Sequence, residues 1–272
     1  MKILLLCPRW GSEALPLVDF LAKAAEGGYD GVELPLPDDE RERGQALESL
    51  ARAGRPWVAQ HWQTADRDFR AHREAYLRRL RNLTAGRPLL VNAHTGKDHF
   101  TFEQNRELLE WAREVEAESG VPVVHETHRA RFSFAAHVTR SFLEALPWLR
   151  LALDVSHWCN VAESFLEDQP EAVALAVART DHLHARVGFP EGPQVPDPRA
   201  PEWRPALEAH LAVWDQVVGA RRAGGAAQLA IAPEFGPAPY MPHLPFANTP
   251  VADQWEVNRH VMQLLRDRYA VI

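Results

Sequence analysis

Cysteine is scarce in this chain: Cys7 and Cys159 are the only two among 272 residues. Two thiols cannot build a disulfide framework or a thiolate zinc site, and such sparing use fits a reducing compartment. Positive charge is in deficit too. Thirty Lys and Arg against 37 Asp and Glu give a formal net charge of -7, which opposes the counterion release that drives most nucleic-acid binding. Long apolar runs are missing as well: after Lys2 the run from Ile3 to Leu6 stops at Cys7 and Pro8, far short of a signal h-region or a membrane span. The expectation is a cytoplasmic protein with neither nucleic acid nor membrane as partner. No Gly/Ser-rich or Pro-rich linker divides the chain, and no GxGxxG follows the first apolar run, so the dinucleotide-binding fingerprint is excluded.

What is present is a repeated pattern. With 46% hydrophobic and 25% charged residues the chain has the makeup of a globular domain, expected to span residues 1–272 as one unit. Short apolar runs begin at Lys2 (KILLLC), Gly31 (GVELPL), Trp57 (WVAQHW), Pro88 (PLLVNAH), Val121 (VPVVHE), Leu149 (LRLALD), Asp181 (DHLHARV) and Gln228 (QLAIAPE). Their continuous apolar character is that of strands buried on both faces in a parallel sheet. Between them lie segments of helical period, such as Leu108, Trp111, Ala112 and Val115, then Leu207, Leu211, Trp214 and Val218, then Val257, Val261 and Leu264. Eight such units predict an α/β fold, a closed (β/α)₈ TIM barrel, rather than an open doubly wound sheet. The stretch from Val187 to Trp203, GFPEGPQVPDPRAPEW after its first residue, is too rich in Pro and Gly for regular structure and predicts a long loop after the seventh strand.

A barrel gathers the C-terminal ends of all its strands around one opening. Glu126 closes VPVVHE, Asp154 closes LRLALD, His184 closes DHLH and Glu234 closes LAIAPE. Singly, each carboxylate reads equally as a helix N-cap or an arginine partner. Together, three carboxylates in a partly desolvated site cost several kcal/mol unless a cation compensates them. The mixed oxygen and nitrogen donors suit Mn²⁺, Mg²⁺, Co²⁺ or Zn²⁺. His157, three residues after Asp154, and Arg186, two after His184, can address the same opening, as substrate contacts or as partners of the carboxylates. Trp10, Trp62 and Trp158 follow the first, third and sixth runs, either as barrel packing or as apolar faces for a sugar. Glu33, His61, His94, His128, Arg129 and Arg131 are further polar residues near the opening.

Glu126 in HETH, the D-x-x-H of Asp154 to His157, His184 in HLH and Glu234 in APEFG resemble the metal site of the xylose isomerase-like barrel superfamily. More narrowly they resemble its sugar phosphate isomerase/epimerase group, which includes tagatose-type ketose epimerases and hydroxypyruvate isomerases. The resemblance implies a metal-dependent isomerase or epimerase of carbohydrate metabolism. It implies one divalent ion per chain, usually manganese, on the positions matching Glu126, Asp154, His184 and Glu234. The two glutamates would double as acid/base catalysts around a cis-enediolate, with the position of His157 touching a substrate oxygen. A sugar or sugar phosphate is the implied substrate, with His94 beside it. The arginine that ketose epimerases carry several residues beyond the seventh-strand histidine falls here at Pro190, which leaves Arg186 as the near candidate. Apurinic endonucleases share the barrel, and His61 and His94 stand where their extra zinc histidines come from, but the loop that holds Asp197 lacks the Asp-x-His those nucleases use. A silent sugar- or metal-binding barrel is the third reading. Exposed aromatics on the late loops are compatible with a homo-oligomer.

Overall fold

The computed structural model describes residues 1–270. Eight strands form one closed, all-parallel barrel in sequence order: β1 (Lys2–Pro8), β2 (Gly31–Leu34), β3 (Trp57–His61), β4 (Val91–Ala93), β5 (Val123–Glu126), β6 (Leu151–Leu153), β7 (Thr180–His184) and β8 (Gln228–Ala232). Closure is made by β1 against β8, with Ile3 beside Leu229 and Leu5 beside Ile231. Each apolar run of the sequence holds one of these strands. Outside lie α1 (Leu17–Glu26), α2 (Glu40–Ala53), α3 (Phe69–Ala85), α4 (Phe102–Ser119), α5 (Ala136–Ala145), α6 (Val155–Ala162), α7 (Pro170–Ala178), α8 (Arg204–Ala223) and α9 (Gln254–Ala270). A small hairpin, β9 (His243–Leu244) with β10 (Thr249–Pro250), follows β8. The loop after β7 is largely irregular as expected, with one β-bridge between Phe189 and Gly192 and a 3₁₀ turn at Pro201–Trp203 that leads directly into α8. No described helix is long and apolar enough to cross a membrane.

Side chains alternate across a strand, and the barrel sorts them into two cores. Residues such as Leu5, Val32, Ala59, Val91 and Leu153 point outward and pack with the helices in one large cluster. Leu4, Leu6, Val58, Leu90, Val124, Ala152, Ala230 and Ala232 point inward and form a separate, smaller cluster. Moving two residues on from an inward apolar position keeps the next side chain inside the barrel and brings it nearer the C-terminal opening. Val58 is followed by Gln60, Leu90 by Asn92, Val124 by Glu126, Ala152 by Asp154 and Ala232 by Glu234. The barrel thus changes from an apolar floor to a polar layer along the same rows of side chains.

Candidate active site

The polar layer is buried and densely bonded. Glu126, Asp154, His184 and Glu234 each offer a ligand atom within 4.8 Å of the other three, and all four are buried. His184 is the hinge of the arrangement. Its Nδ1 lies 2.8 Å from Glu234 Oε2 and 3.5 Å from Glu126 Oε2 without making an angularly sound hydrogen bond, while Nε2 faces Glu33 Oε1 at 3.0 Å. Burial alone would favour the neutral ring, yet the carboxylates of Glu234, Glu33 and Glu126 raise its pKa well above the ordinary histidine value. Glu33 behaves reciprocally: burial works against its charge, but His184 and His182, the latter 2.9 Å from Oε2, hold it well below the usual carboxylate range.

Asp154 combines both readings that its position allows. Oδ1 accepts from the Ser156 backbone N at 2.9 Å and caps α6. Oδ2 accepts from Arg186 Nη2 at 2.5 Å. Burial pushes the Asp154 carboxyl up to about 6, although Arg186 opposes the shift. Arg186 is 1% exposed, donates through Nε to Ser156 Oγ and stands 3.8 Å from Glu234. It therefore reaches the same carboxylates as His184. Together these two side chains supply part of the positive charge that the acidic cluster requires.

Two amides complete the layer and carry no signal in the sequence beyond being polar residues inside apolar runs. Asn92 donates to Glu126 Oε2 at 2.8 Å and to Glu33 Oε1 at 3.1 Å, and Gln60 donates to Glu234 Oε1 at 2.9 Å. His182, on the same face of β7 as His184, is another such residue. Next to the cluster, His94 Nε2 lies 2.9 Å from Glu126 Oε2. The rings of His94 and His128 are 4.5 Å apart, and those of His128 and His157 3.9 Å. Burial, with Arg and His neighbours, lowers the pKa of all three well below the ordinary value, so they form a row of neutral imidazoles beside Arg186.

A cavity of about 860 Å³ opens onto this layer, lined at its inner end by Gln60, His94, Glu126, Arg186 and Glu234. Trp10 and Trp62 line it further out. Trp10 fits because Gly236 lacks a side chain: a Cβ there would overlap the indole ring. Tyr240, which the sequence did not single out, also lines the cavity, its ring 4.9 Å from the Arg186 guanidinium and 5.0 Å from that of Arg129.

Two expected substrate contacts are placed elsewhere. Trp158 does not line the cavity. Asp154 starts a helix rather than a loop, which carries Trp158 into the core, where its indole donates to the Ser133 carbonyl at 2.8 Å. His157, on the same helix, is fully buried against Arg186 at 2.7 Å rather than open to the cavity. His61 is also turned away, with Gln63 and Thr64 occupying its two nitrogens at 3.2 and 3.0 Å. Arg131 lines the cavity but spends its guanidinium on the carbonyls of Thr64 and Trp62.

Neither a family model nor a curated protein matches this chain. Solved structures do match along nearly its whole length. A 3-keto-D-glucoside 4-epimerase from E. coli, in its apo form, is 15% identical, with 98% of this chain and 100% of that chain covered and a TM-score of 0.62. A xylose isomerase-like TIM barrel protein from Mycobacterium smegmatis, in complex with magnesium, is 12% identical, with 97% of each chain covered and a TM-score of 0.56. Endonuclease IV from Thermus thermophilus is 13% identical, with 98% of this chain and 100% of that chain covered and a TM-score of 0.60. At such identities the likeness speaks to the fold, and chemistry rests on the site. In fold, the chain is a closed (β/α)₈ barrel similar to these structures along nearly its whole length.

Proposed function

We propose that the protein is a metal-dependent isomerase or epimerase of a carbonyl-bearing sugar, acting by proton transfer next to the carbonyl. The observation that carries this reading is the approach of Glu126, at the end of β5, and Glu234, just beyond β8, to the same His184 Nδ1 at 3.5 and 2.8 Å, at the inner end of the cavity. The donor set fits a divalent ion, since carboxylate oxygens and an imidazole nitrogen already converge and no thiolate is among them. Glu126, His184 and Glu234, with Asp154 shared by Arg186, would hold that ion; Mn²⁺ is our first choice, then Mg²⁺, Co²⁺ or Zn²⁺. Bound there, it would supply the charge that draws electrons toward the substrate oxygens and steadies a cis-enediolate.

The side chains have distinct tasks in this scheme. One glutamate takes the proton from the carbon beside the carbonyl, and the other returns a proton to the opposite face or to the neighbouring carbon. Return to the opposite face inverts one centre. Return to the next carbon exchanges aldose for ketose. Gln60 and Asn92 keep the two carboxylates aimed, while Glu33 orients His184 through Nε2. The 3-keto-glucoside epimerase among the matched structures acts, by its name, on a sugar ketone, which supports the same substrate class here.

The test is turnover of a ketose panel by Mn²⁺-loaded protein in deuterated water. Deuterium on the carbon next to the carbonyl is expected; clean turnover without label would replace proton transfer by a hydride shift. A second reading, multi-metal phosphodiester cleavage, draws on the matched endonuclease and on the donor set of His94, Glu126 and His128. Against it stand the occupied nitrogens of His61 and the pairing of Asp197 with Arg199 in a loop without histidine. Incision of an abasic duplex at about one per second would reverse the ranking.

A further inference from the structure

The inner polar end accounts for only part of the cavity. A hexose fills at most about 360 Å³ if each of its twelve non-hydrogen atoms is as large as a water molecule at about 30 Å³. The cavity measures about 860 Å³. The remainder runs sideways from the barrel axis, over the ends of β1 to β3. Its wall carries an apolar patch of Leu17 and Val18 from the start of α1, Leu36 and Pro37 after β2, and Ala46 from α2. Val18 and Trp62 sit on its rim 60% and 51% exposed, so large apolar side chains face solvent beside the site.

The charges on this side oppose a phosphate. Among the described residues, three cations line the cavity, and each has a partner within the protein. Arg186 is held by Asp154 and Arg131 by backbone carbonyls. Arg9 donates to the Leu15 carbonyl at 3.3 Å. Glu13 and Glu42 line the same wall and repel an anion. Arg131 and Arg186 are committed within the protein, and Glu13 acts electrostatically on Arg9, so the charge balance on this side favours a neutral ligand over a phosphate.

We infer that the substrate is an uncharged sugar derivative with an apolar ring or chain at the end remote from the reacting carbonyl, laid between α1 and α2. This rests on the proposed proton-transfer reading, because that reading puts the sugar at Glu126 and Glu234. The substituent stays attached throughout, and the reaction only moves a proton from carbon to one glutamate while the other glutamate returns one. Burying an aromatic ring against this wall yields affinity from apolar area without any charge contact.

Calorimetric titration of the Mn²⁺-loaded protein with phenyl β-D-glucoside, methyl β-D-glucoside and glucose 6-phosphate tests the inference. The phenyl compound should bind at least about tenfold more tightly than the methyl compound, and the phosphate no more tightly than the methyl compound. Val18→Glu, at an exposed position outside the proposed catalytic residues, should erase the phenyl preference while leaving Mn²⁺ affinity unchanged. Equal or absent binding of the two glucosides, or a phosphate preferred by tenfold, overturns the inference. A phenyl preference that survives while deuterium exchange fails supports the apolar subsite and sinks the proton-transfer reading, so the two can fail separately.

Discussion

The two sides of the barrel opening are built by different rules. On the side of β5 to β8 the proposed functional groups are Glu126 and His184, which end β5 and β7 and are held by the ladder, and Asp154 and Glu234, which directly follow β6 and β8, all four also held by one another. On the side of β1 to β3 the cavity wall comes largely from a loop and two helices, with Leu17 and Val18 on α1, Leu36 after β2 and Ala46 on α2, which the barrel ladder does not hold. The first arrangement resists change because each carboxylate is buried and has a named partner. The second can be re-cut without touching the core at the exposed Val18. On the proposed function, reaction and recognition would therefore be separable, as barrel enzymes generally allow.

Exchanging one residue on each side tests that separation most directly. Glu234→Gln keeps the size of the side chain and an acceptor for Gln60 but removes a base. We expect exchange into an accepted ketose to fall by about 10²–10⁴ with little change in melting temperature. Leu36→Ala should leave exchange into short substrates within a few-fold. Equal losses from both variants, measured by deuterium incorporation, would show that the two sides act as one unit.

Arg186→Met probes the cost of the charged side. It leaves Asp154 buried without its guanidinium partner, which should destabilise the protein by about 3–5 kcal/mol, or roughly 6–20 °C in melting temperature at about 2–4 °C per kcal/mol. Adding Asp154→Asn should recover part of the loss, because the uncompensated charge goes with it. Metal acts next in size. Mn²⁺ at a hundred times its dissociation constant should stabilise the protein by about 2.7 kcal/mol, and thermal unfolding should show the rise abolished in His184→Gln and intact in Leu36→Ala.

The same contrast explains how much of the molecule is legible in its sequence. The eight strands announce themselves because strands buried on both faces are continuous apolar runs, and the residues closing the last four runs are the ones the barrel brings together. Asn92, Gln60 and His182 carry no such mark, because nothing local distinguishes an amide or imidazole that will meet a carboxylate from another strand. Trp158 departs from the expected place because a four-residue step from Asp154 leads outward along a loop but into the core along a helix, and the start of α6 decides which. The apolar wall is hidden for another reason. Leu36 and Ala46 are ordinary residues until α1 and α2 enclose a space between them.

Acid titration of the metal-free protein contrasts one histidine from each side, with the smallest effect. His61 closes β3 on the apolar side, stacked on Tyr76 at 5.3 Å, and burial lowers its pKa to about 3. His184, on the charged side, is raised well above the ordinary value although burial opposes it, because Glu234, Glu33 and Glu126 favour its proton. The signs are therefore opposite. In the unfolded chain both rings take up a proton near pH 6.5, a value the folded His61 cannot match until about 3. Its contribution is intact above 6.5 and is lost as pH falls, by at most about 1.4 kcal/mol per pH unit. The contribution of His184 is fully present below 6.5 and disappears only as pH rises through its raised pKa. Gln at position 61 retains hydrogen-bonding capacity toward Thr64 and does not titrate, so His61→Gln should flatten the fall in unfolding free energy between pH 6.5 and 5 by about one proton's worth. Urea denaturation at a series of pH values measures that slope. An unchanged slope in His61→Gln would locate the acid sensitivity elsewhere and remove the neutral histidine from the apolar side of the comparison.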